Sequence, residues 1–477
     1  MRPLPKIPVI SVEQMRQWEQ ATWAAGKTAH EVIQQVGRLL AHRVLELTRP
    51  GDAVWIIAGK GHNGDDARAA QPHLAERNVL LTNIDDPRQG LTEFSQRLHT
   101  QGLRRVRWIV DALFGIGLNR ALNEDWCKLI ESINACGIPV LAVDVPSGLN
   151  ADTGETEGAA IKAALTLTLG APKGGLLEAP AFTGRLEVAA EIGLVPCPIK
   201  ADLNWTAPAE FAGLPPRRAS IGNKGDYGHV AIVAGSLGYH GAAVLTAHGA
   251  QRAQPGLVTV FPQASVYAPV AGQLQSAMVH PWRAGTPLPK ACSAILFGPG
   301  LAAEELPDAL KEDLRSLWRT SPLAMVVDAS ALDWLEPGPT PDGAVRVITP
   351  HPGEAGRLLR TSAKEVQAGR VASLRALSKR FCNCWVVLKG QQTLVGRAAG
   401  EIFINSSGNP HLAQGGSGDL LGGYLAGLLA QPEWQQDPLL AARYAVWQHG
   451  AAADHLAETQ PNWTIEDLAQ RLGRIRP

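Results

Sequence analysis

The chain has 477 residues, 45% of them apolar, and its 44 lysines and arginines are balanced by 44 aspartates and glutamates. That length exceeds one ordinary core, so two or three domains are expected, and the even charge supplies neither a basic field for nucleic acid nor an acidic tail. No apolar run approaches the ~18 residues of a membrane span, the start MRPLPKIPVISVEQ turns polar too early for a secretory core, and the six scattered cysteines form no CxxC pair, so buried thiols and a soluble, cytoplasmic setting are expected.

In chain order, strands are expected at 53–58, 79–84, 107–112, 139–145 and 164–169, with helical spacing over 66–78 and 123–136. Strands joined by helix-length crossovers imply an α/β domain with a parallel sheet covered on both faces. Ligands of such sheets bind at the carboxyl ends of the strands. That edge carries GKGHNGDDA (59–67), DALFGIGLNR (111–120) and DVPSGLNADTG (144–154). The stretch TAPAEFAGLPPRRASIGNKGDYG (206–228) has no periodicity and divides the chain into domains 1–212 and 213–477. Alternation then resumes, with strands expected at 229–234, 257–261, 293–297, 324–328, 345–349, 385–389 and 401–404 and a mostly helical tail over 418–475.

The tail opens with GNPHLAQGGSGDLLGGYLAGLLA (408–430). Gly415, Gly416 and Gly418 precede a helical run, where bare backbone N–H groups and the helix dipole together favour an anion. Asp419 at the rim is placed to take a proton from a hydroxyl while such a site holds a transferring phosphoryl group. By residue type it is equally a helix cap.

Four further segments stand with it: KGDYGHVAIVAGSLGYHGAAVLTAHGAQRAQPGLVTV (224–260), GPGL (298–301), ITPHPGEAGRLL (348–359) and KGQQTLV (389–395). Over 216–477 the chain resembles the ADP/ATP-dependent NAD(P)H-hydrate dehydratases, which have a ribokinase-like α/β fold. The resemblance implies that a nucleotide phosphorylates the 6-hydroxyl of hydrated NADH or NADPH, and that phosphate then leaves. It makes Asp419 the base and gives Gly418 the phosphoryl group. Lys389, Gly390, Gln391, Gln392 and Thr393 would contact ADP or ATP, and Ala242, Gly300 and His351 the hydrated dinucleotide. Mg²⁺ is expected with the nucleotide, because phosphoryl transfer needs its charge. Taken alone, His351 is a loop cap and Lys389 a solvated strand-end lysine. Ser330 stands where the family usually has a second acid, while Asp328 remains. A ribokinase-like small-molecule kinase, which shares the glycine loop before Asp419, is the rival reading.

Over about 10–210 the chain resembles the NAD(P)H-hydrate epimerase domain fused upstream in bifunctional repair enzymes, on the motifs VDALFGIGLNR (110–120) and VDVPSGLNADTG (143–154). The resemblance implies a Rossmann-like three-layer αβα fold, a bound potassium ion and a homo-oligomer. Asp144 would be the catalytic carboxylate, and Asn63, Asp111 and Ser147 would be oxygen ligands suited to a hard cation. The substrate would meet His62, Asn63, Gly64, Asp65 and Asp66, and also Gly115, Ile116, Gly117, Leu118, Asn119, Arg120 and Ala121, with Arg120 pairing a phosphate. The family's first loop reads Asn-Asn-Gly-Gly-Asp-Gly, whereas here it is His62-Asn63-Gly64-Asp65-Asp66-Ala67, and EVIQQVGRLL (31–40) replaces a Met-Glu-x-Ala-Gly pattern. Asp65 facing a ligand diphosphate at ~4 Å would cost roughly 4 kcal/mol at an effective dielectric near 20. A non-catalytic binding or assembly module is therefore the alternative for this half.

Overall fold

The computed structural model describes residues 6–100 and 106–477; residues 1–5, where the amino-terminal reading begins, lie outside the described residues. The chain forms two compact units, Pro5–Ala201 and Asp202–Pro477. The expected division at 212/213 thus moves to 201/202. The reason is local: Leu203–Trp205 already pairs in parallel with Ile402–Ile404 in the second unit's sheet.

In the upstream unit, helices α1 (Val12–Ala24) and α2 (Ala29–Leu47) precede the parallel strands. Then come β1 (Ala53–Ala58), α3 (His62–Ala70), β2 (Asn78–Asn83), α4 (Pro87–Thr100), β3 (Val106–Ala112), α5 (Glu124–Ala135), β4 (Val140–Val143), β5 (Leu165–Leu169) and β6 (Arg185–Ala189). The sheet order is β2-β1-β3-β4-β5-β6. β1 reads AVWIIA and is buried at every position, as a strand covered on both faces must be. Val54, Ile56 and Ala58 pack with Val36 and Leu40 of α2, while Trp55 and Ile57 pack with Phe94, Leu129 and Ile133 on the opposite face. The strand order reverses between β1 and β3, which opens a crevice at their carboxyl ends. Helix α3 begins at His62 rather than at 66. It ends at Ala70 rather than 78 because Pro72, in the following 3-10 turn, has no N–H to continue the ladder.

The downstream unit holds β7 (Leu203–Trp205), β8 (His229–Val233), α6 (His240–Arg252), β9 (Leu257–Phe261), β10 (Met278–Val279), β11 (Ala294–Phe297), α7 (Asp308–Thr320), β12 (Ala324–Val327), β13 (Arg346–Ile348), α8 (Pro352–Leu359), β14 (Trp385–Leu388), β15 (Leu394–Gly396), β16 (Ile402–Ile404), α9 (Ser417–Leu429) and α10 (Pro438–Thr459). Its own strands stand in the order β7-β16-β15-β14-β13-β12-β11-β8-β9-β10. The ladder is parallel except where β15 pairs antiparallel with β14 and β16. Helix α9 lies hard against α6, since a Cβ on Gly423 would overlap the Thr246 carbonyl oxygen and one on Gly249 the Leu420 carbonyl oxygen. Both units are α/β with parallel sheets, as expected. The six cysteines are free, but Cys382 is exposed and only Cys384 is fully buried.

Candidate active sites

The upstream site is built where β1, β3 and β4 end. The Gly59 N–H donates to the Ala112 carbonyl (3.0 Å), tying the first loop to the second. Asn63, in the first turn of α3, donates from Nδ2 to the Phe114 carbonyl (2.9 Å). Asp111 is the penultimate residue of β3 and is buried. Its Oδ1 accepts from Ser147 Oγ (2.7 Å) and its Oδ2 from the Ser147 N–H (2.9 Å). Ser147 Oγ in turn accepts from the Phe114 N–H (2.9 Å) and lies 3.3 Å from the Phe114 carbonyl oxygen. Burial pushes the Asp111 carboxyl up to about 6, and only hydrogen bonds from Ser147 and Leu113 oppose it. The three expected potassium ligands thus converge, and Phe114 adds a carbonyl oxygen to the set.

Asp144 follows β4 with φ 63°, a left-handed conformation that aspartate tolerates better than most residues. Its Oδ1 accepts from Lys173 Nζ (2.6 Å), the Leu169 N–H (3.0 Å) and Thr168 Oγ1 (3.1 Å). Asp144 lines a cavity of about 940 Å³ together with His62, Asn63, Asp66 and the whole of Gly115–Ala121. Glu19 and Trp23 of α1 and Val32, Ile33 and Val36 of α2 close its other side. Burial, then the charges of Asp144, Asp65 and Glu19, push the Asp66 carboxyl up to about 8. Glu19 is raised by burial and then by Asp144.

Two expected contact residues fall outside this lining. Asp65 pairs with Arg68 (2.8 Å), which also donates to the Gly59 carbonyl and to Asn83. The charge feared against a diphosphate is therefore turned to a guanidinium within its own helix. Gly64 serves packing instead, since a Cβ there would overlap the Gly59 carbonyl oxygen.

The downstream site gathers on Lys389, at the end of β14. Its Nζ lies 2.8 Å from Asp328 Oδ1 and 3.8 Å from Glu354 Oε2. Burial alone would lower this ammonium, but Asp328, Glu354 and Asp419 together outweigh it and raise the group. Asp419 stands in the first turn of α9, whose cap, Gly416, has φ 93°. Burial, then Asp328 and Glu354 against the opposing Lys389, bring the half-buried Asp419 carboxyl up to about 7. Gly418 gives Lys389 its room: a Cβ there would meet Nζ at 3.3 Å.

His351 caps α8, its Nδ1 accepting from the N–H groups of Gly353 (3.0 Å) and Glu354 (3.4 Å). In the neutral ring the proton is then on Nε2, which lies 3.5 Å from Glu354 Oε1. Gly300 has φ 64° and sits against Ala242, so the two expected dinucleotide contacts are neighbours. Gln391, Gln392 and Thr393 form the turn between β14 and β15, pinned by Thr393 Oγ1 donating to the Gly390 carbonyl (2.9 Å). A second cavity of about 720 Å³, lined by Lys224, His248 and Arg252 among others, contains none of these residues.

Two separate centres, each a carboxylate beside a lysine at a sheet's carboxyl edge, call for a family that joins two activities. Residues 230–477 match the family described as NAD(P)H-hydrate dehydratase, and residues 83–175 match the YjeF-related protein N-terminus. The bifunctional NAD(P)H-hydrate repair enzyme of Coxiella burnetii is 34% identical across 93% of this chain and 94% of its own. That of Escherichia coli is 34% identical across 91% and 86%. The chain belongs to the bifunctional NAD(P)H-hydrate repair enzymes. Its downstream unit also matches the solved ADP/ATP-dependent NAD(P)H-hydrate dehydratase of Bacillus subtilis co-crystallized with ATP and Mg²⁺, at 28% identity and TM-score 0.51, over 57% of this chain and 96% of that one.

Within this repair-enzyme frame, sequence reasoning missed Lys173, Glu19 and Glu354 as members of the two charge clusters. Lys173 left one signal, a lysine between proline and glycine in APKGG directly after an apolar strand. Glu354 was visible within HPGE, but not as a partner of Lys389. Glu19 left none, because its helix lies far from the loops in sequence.

Proposed function

We propose how the chain's residues divide the work of nicotinamide-nucleotide repair between an epimerase and an ADP/ATP-dependent dehydratase. In the downstream unit Asp419 takes the proton of the substrate's 6-hydroxyl as that oxygen attacks the terminal phosphoryl group. The α9 N-terminus and Lys389 hold the charge that develops. The N1 lone pair then expels phosphate from C6, and loss of a C5 proton restores the C5=C6 double bond. His351, Ala242 and Gly300 seat the dinucleotide, and the 389–393 turn seats the nucleotide. Among the described residues no group of three or more His, Cys, Asp or Glu is placed to hold a metal. Mg²⁺ therefore fits as an ion carried by the nucleotide phosphates, with at most one or two carboxylates from Asp328, Glu354 and Asp419; when bound it offsets phosphate charge.

In the upstream unit Asp66, protonated at neutral pH, gives its proton to the leaving 6-hydroxyl while the N1 lone pair forms C6=N1. Water returns to either face of C6 and loses a proton to Asp144. Potassium would be held by Asn63, Asp111, Ser147 and the Phe114 carbonyl. The fit rests on the all-oxygen donor set and on a buried Asp111 that no cationic side chain among the described residues offsets; when bound, the ion would supply that charge and fix the two loops.

One observation carries the reading: Asp419 lies at a glycine-opened helix start, beside a lysine and at the pKa a base needs near neutral pH. Mixed hydrate epimers are incubated with ADP or ATP and Mg²⁺ while the dihydropyridine absorbance is followed. Wild type converts both epimers completely, Asp419→Asn converts neither, and Asp144→Ala leaves a slow phase for the R form. Accumulation of a stable phosphorylated product would instead favour a small-molecule kinase, and an R phase indifferent to Asp144→Ala a non-catalytic upstream unit.

A further inference from the structure

We propose that Lys173 is a positioning residue of the epimerase, fixing Asp144 as the proton acceptor and leaving Asp66 as the donor. The inference rests on the epimerase reading above. Lys173 is 0% exposed, and an ammonium in that position is costly unless each of its protons finds an acceptor. Its Nζ has three: Asp144 Oδ1 (2.6 Å), the Leu169 carbonyl (2.9 Å) and Thr168 Oγ1 (3.4 Å). Thr168 closes the triangle by donating to the same Asp144 oxygen. The three hydrogen bonds that Asp144 accepts, from Lys173 Nζ, Thr168 Oγ1 and the Leu169 N–H, all fall on Oδ1, which leaves Oδ2 as the oxygen to meet a ligand in the cavity that Asp144 lines.

The surroundings show why a fixed cation is needed. Facing the same space are Glu19 and Arg16 from α1, Lys60 and Arg120 from the loops, and His62 and Asp66 from α3. The Glu19 and Asp66 side chains share this space with Asp144, and Lys173 is the cation that hydrogen-bonds to it. An acid–base pair works when neighbouring carboxyls are held in opposite protonation states. Among the described residues no ion pair is formed by Asp66, whereas Asp144 has Lys173 at 2.6 Å. Removing the ammonium would leave Asp144 Oδ1 with the Thr168 hydroxyl and the Leu169 N–H as its partners, and no fixed cation beside it.

The test is the R-epimer rate of the full chain as a function of pH, with the S-form dehydratase rate as an internal control. Lys173→Met is expected to lower epimerase kcat by about 10- to 100-fold. It is expected to move the acid limb of its pH profile upward by about one unit or more, with a smaller change in KM. Lys173→Arg keeps the charge and should hold the limb near its wild-type place even if turnover falls. A folded Lys173→Met variant whose acid limb has not moved overturns the proposal. Should that variant be unfolded at the assay temperature, Thr168→Val carries the test, because it removes the hydroxyl between ammonium and carboxylate. It should move the limb the same way by less, and an unmoved limb there is equally fatal. Absence of R-epimer activity in the wild-type chain would instead overturn the epimerase reading itself.

Discussion

At the scale of single residues, the two sites solve one problem in opposite ways. Lys173 has one carboxylate, Asp144, within ion-pair distance, whereas Lys389 is shared among Asp328, Glu354 and Asp419, so its charge is spread thin and Asp419 stays near neutral pH. A base must be deprotonated to act, so the dehydratase rate should climb as pH rises through about 7. Asp328→Asn removes a charge that raises Asp419 and frees Lys389 to lower it. The kcat–pH profile should then shift its acid limb to lower pH; an upward or absent shift would contradict the cluster. Asp66 gives the corresponding stability prediction. Its folded value, about 8, lies above the ordinary 3.8. The stability it contributes is fully present below 3.8 and is lost as pH rises through about 8, because the unfolded chain releases the proton first. Asp66→Asn should therefore gain on wild type by more at pH 8 than at pH 5, by a few kcal/mol at most, roughly 1.4 per pH unit. Thermal melts of the upstream unit at both values decide it. Asp144 and Asp419 were singled out through the resemblance of the motifs around them, because a strand end and a glycine-marked helix start are local signals that a plain cap would leave as well. Lys173 was not, since its meaning depends on a partner 29 residues away that only the fold brings to it.

At the scale of elements, the position of Asp419 is inherited from how α9 is seated. Gly423 and Gly249 let the two helix backbones of α9 and α6 touch, and Gly422 faces Asp328 at a distance where a Cβ would meet Oδ2 at 3.2 Å. Gly423→Ala forces the helices apart, and overpacking of this kind costs roughly 1–3 kcal/mol. It should depress the dehydratase rate and lower the melting of the downstream unit while the epimerase rate holds, which assays of the two activities on one preparation will show. The longer parallel strands could be read from unbroken apolar runs such as AVWIIA. Arg185–Ala189, Leu203–Trp205, Met278–Val279 and Leu394–Gly396 were not read, because segments with a weak or broken apolar run become strands only when a neighbour supplies the ladder. Helix α3 was misjudged for a related reason. HNGD looks like loop by propensity, but packing of Gly64 on Gly59 overrides the preference.

At the scale of the whole molecule, each unit has its own core and its own proposed reacting carboxylate. The epimerase changes only the configuration at C6, so its product is released as a complete substrate for the other unit. Chemistry therefore does not require both activities on one polypeptide. Chains carrying Asp144→Ala and Asp419→Asn should, when mixed, convert both epimers in full. The R phase should accelerate with the concentration of the Asp419→Asn chain and reach the wild-type rate at equal epimerase sites. If the mixture kept a slow R phase at every ratio, while each single variant retained its unmutated activity, the hydrate would have to pass between units of one chain. An R phase slowed only by dilution of the mixture would instead report ordinary diffusion through solvent, as two self-contained sites require.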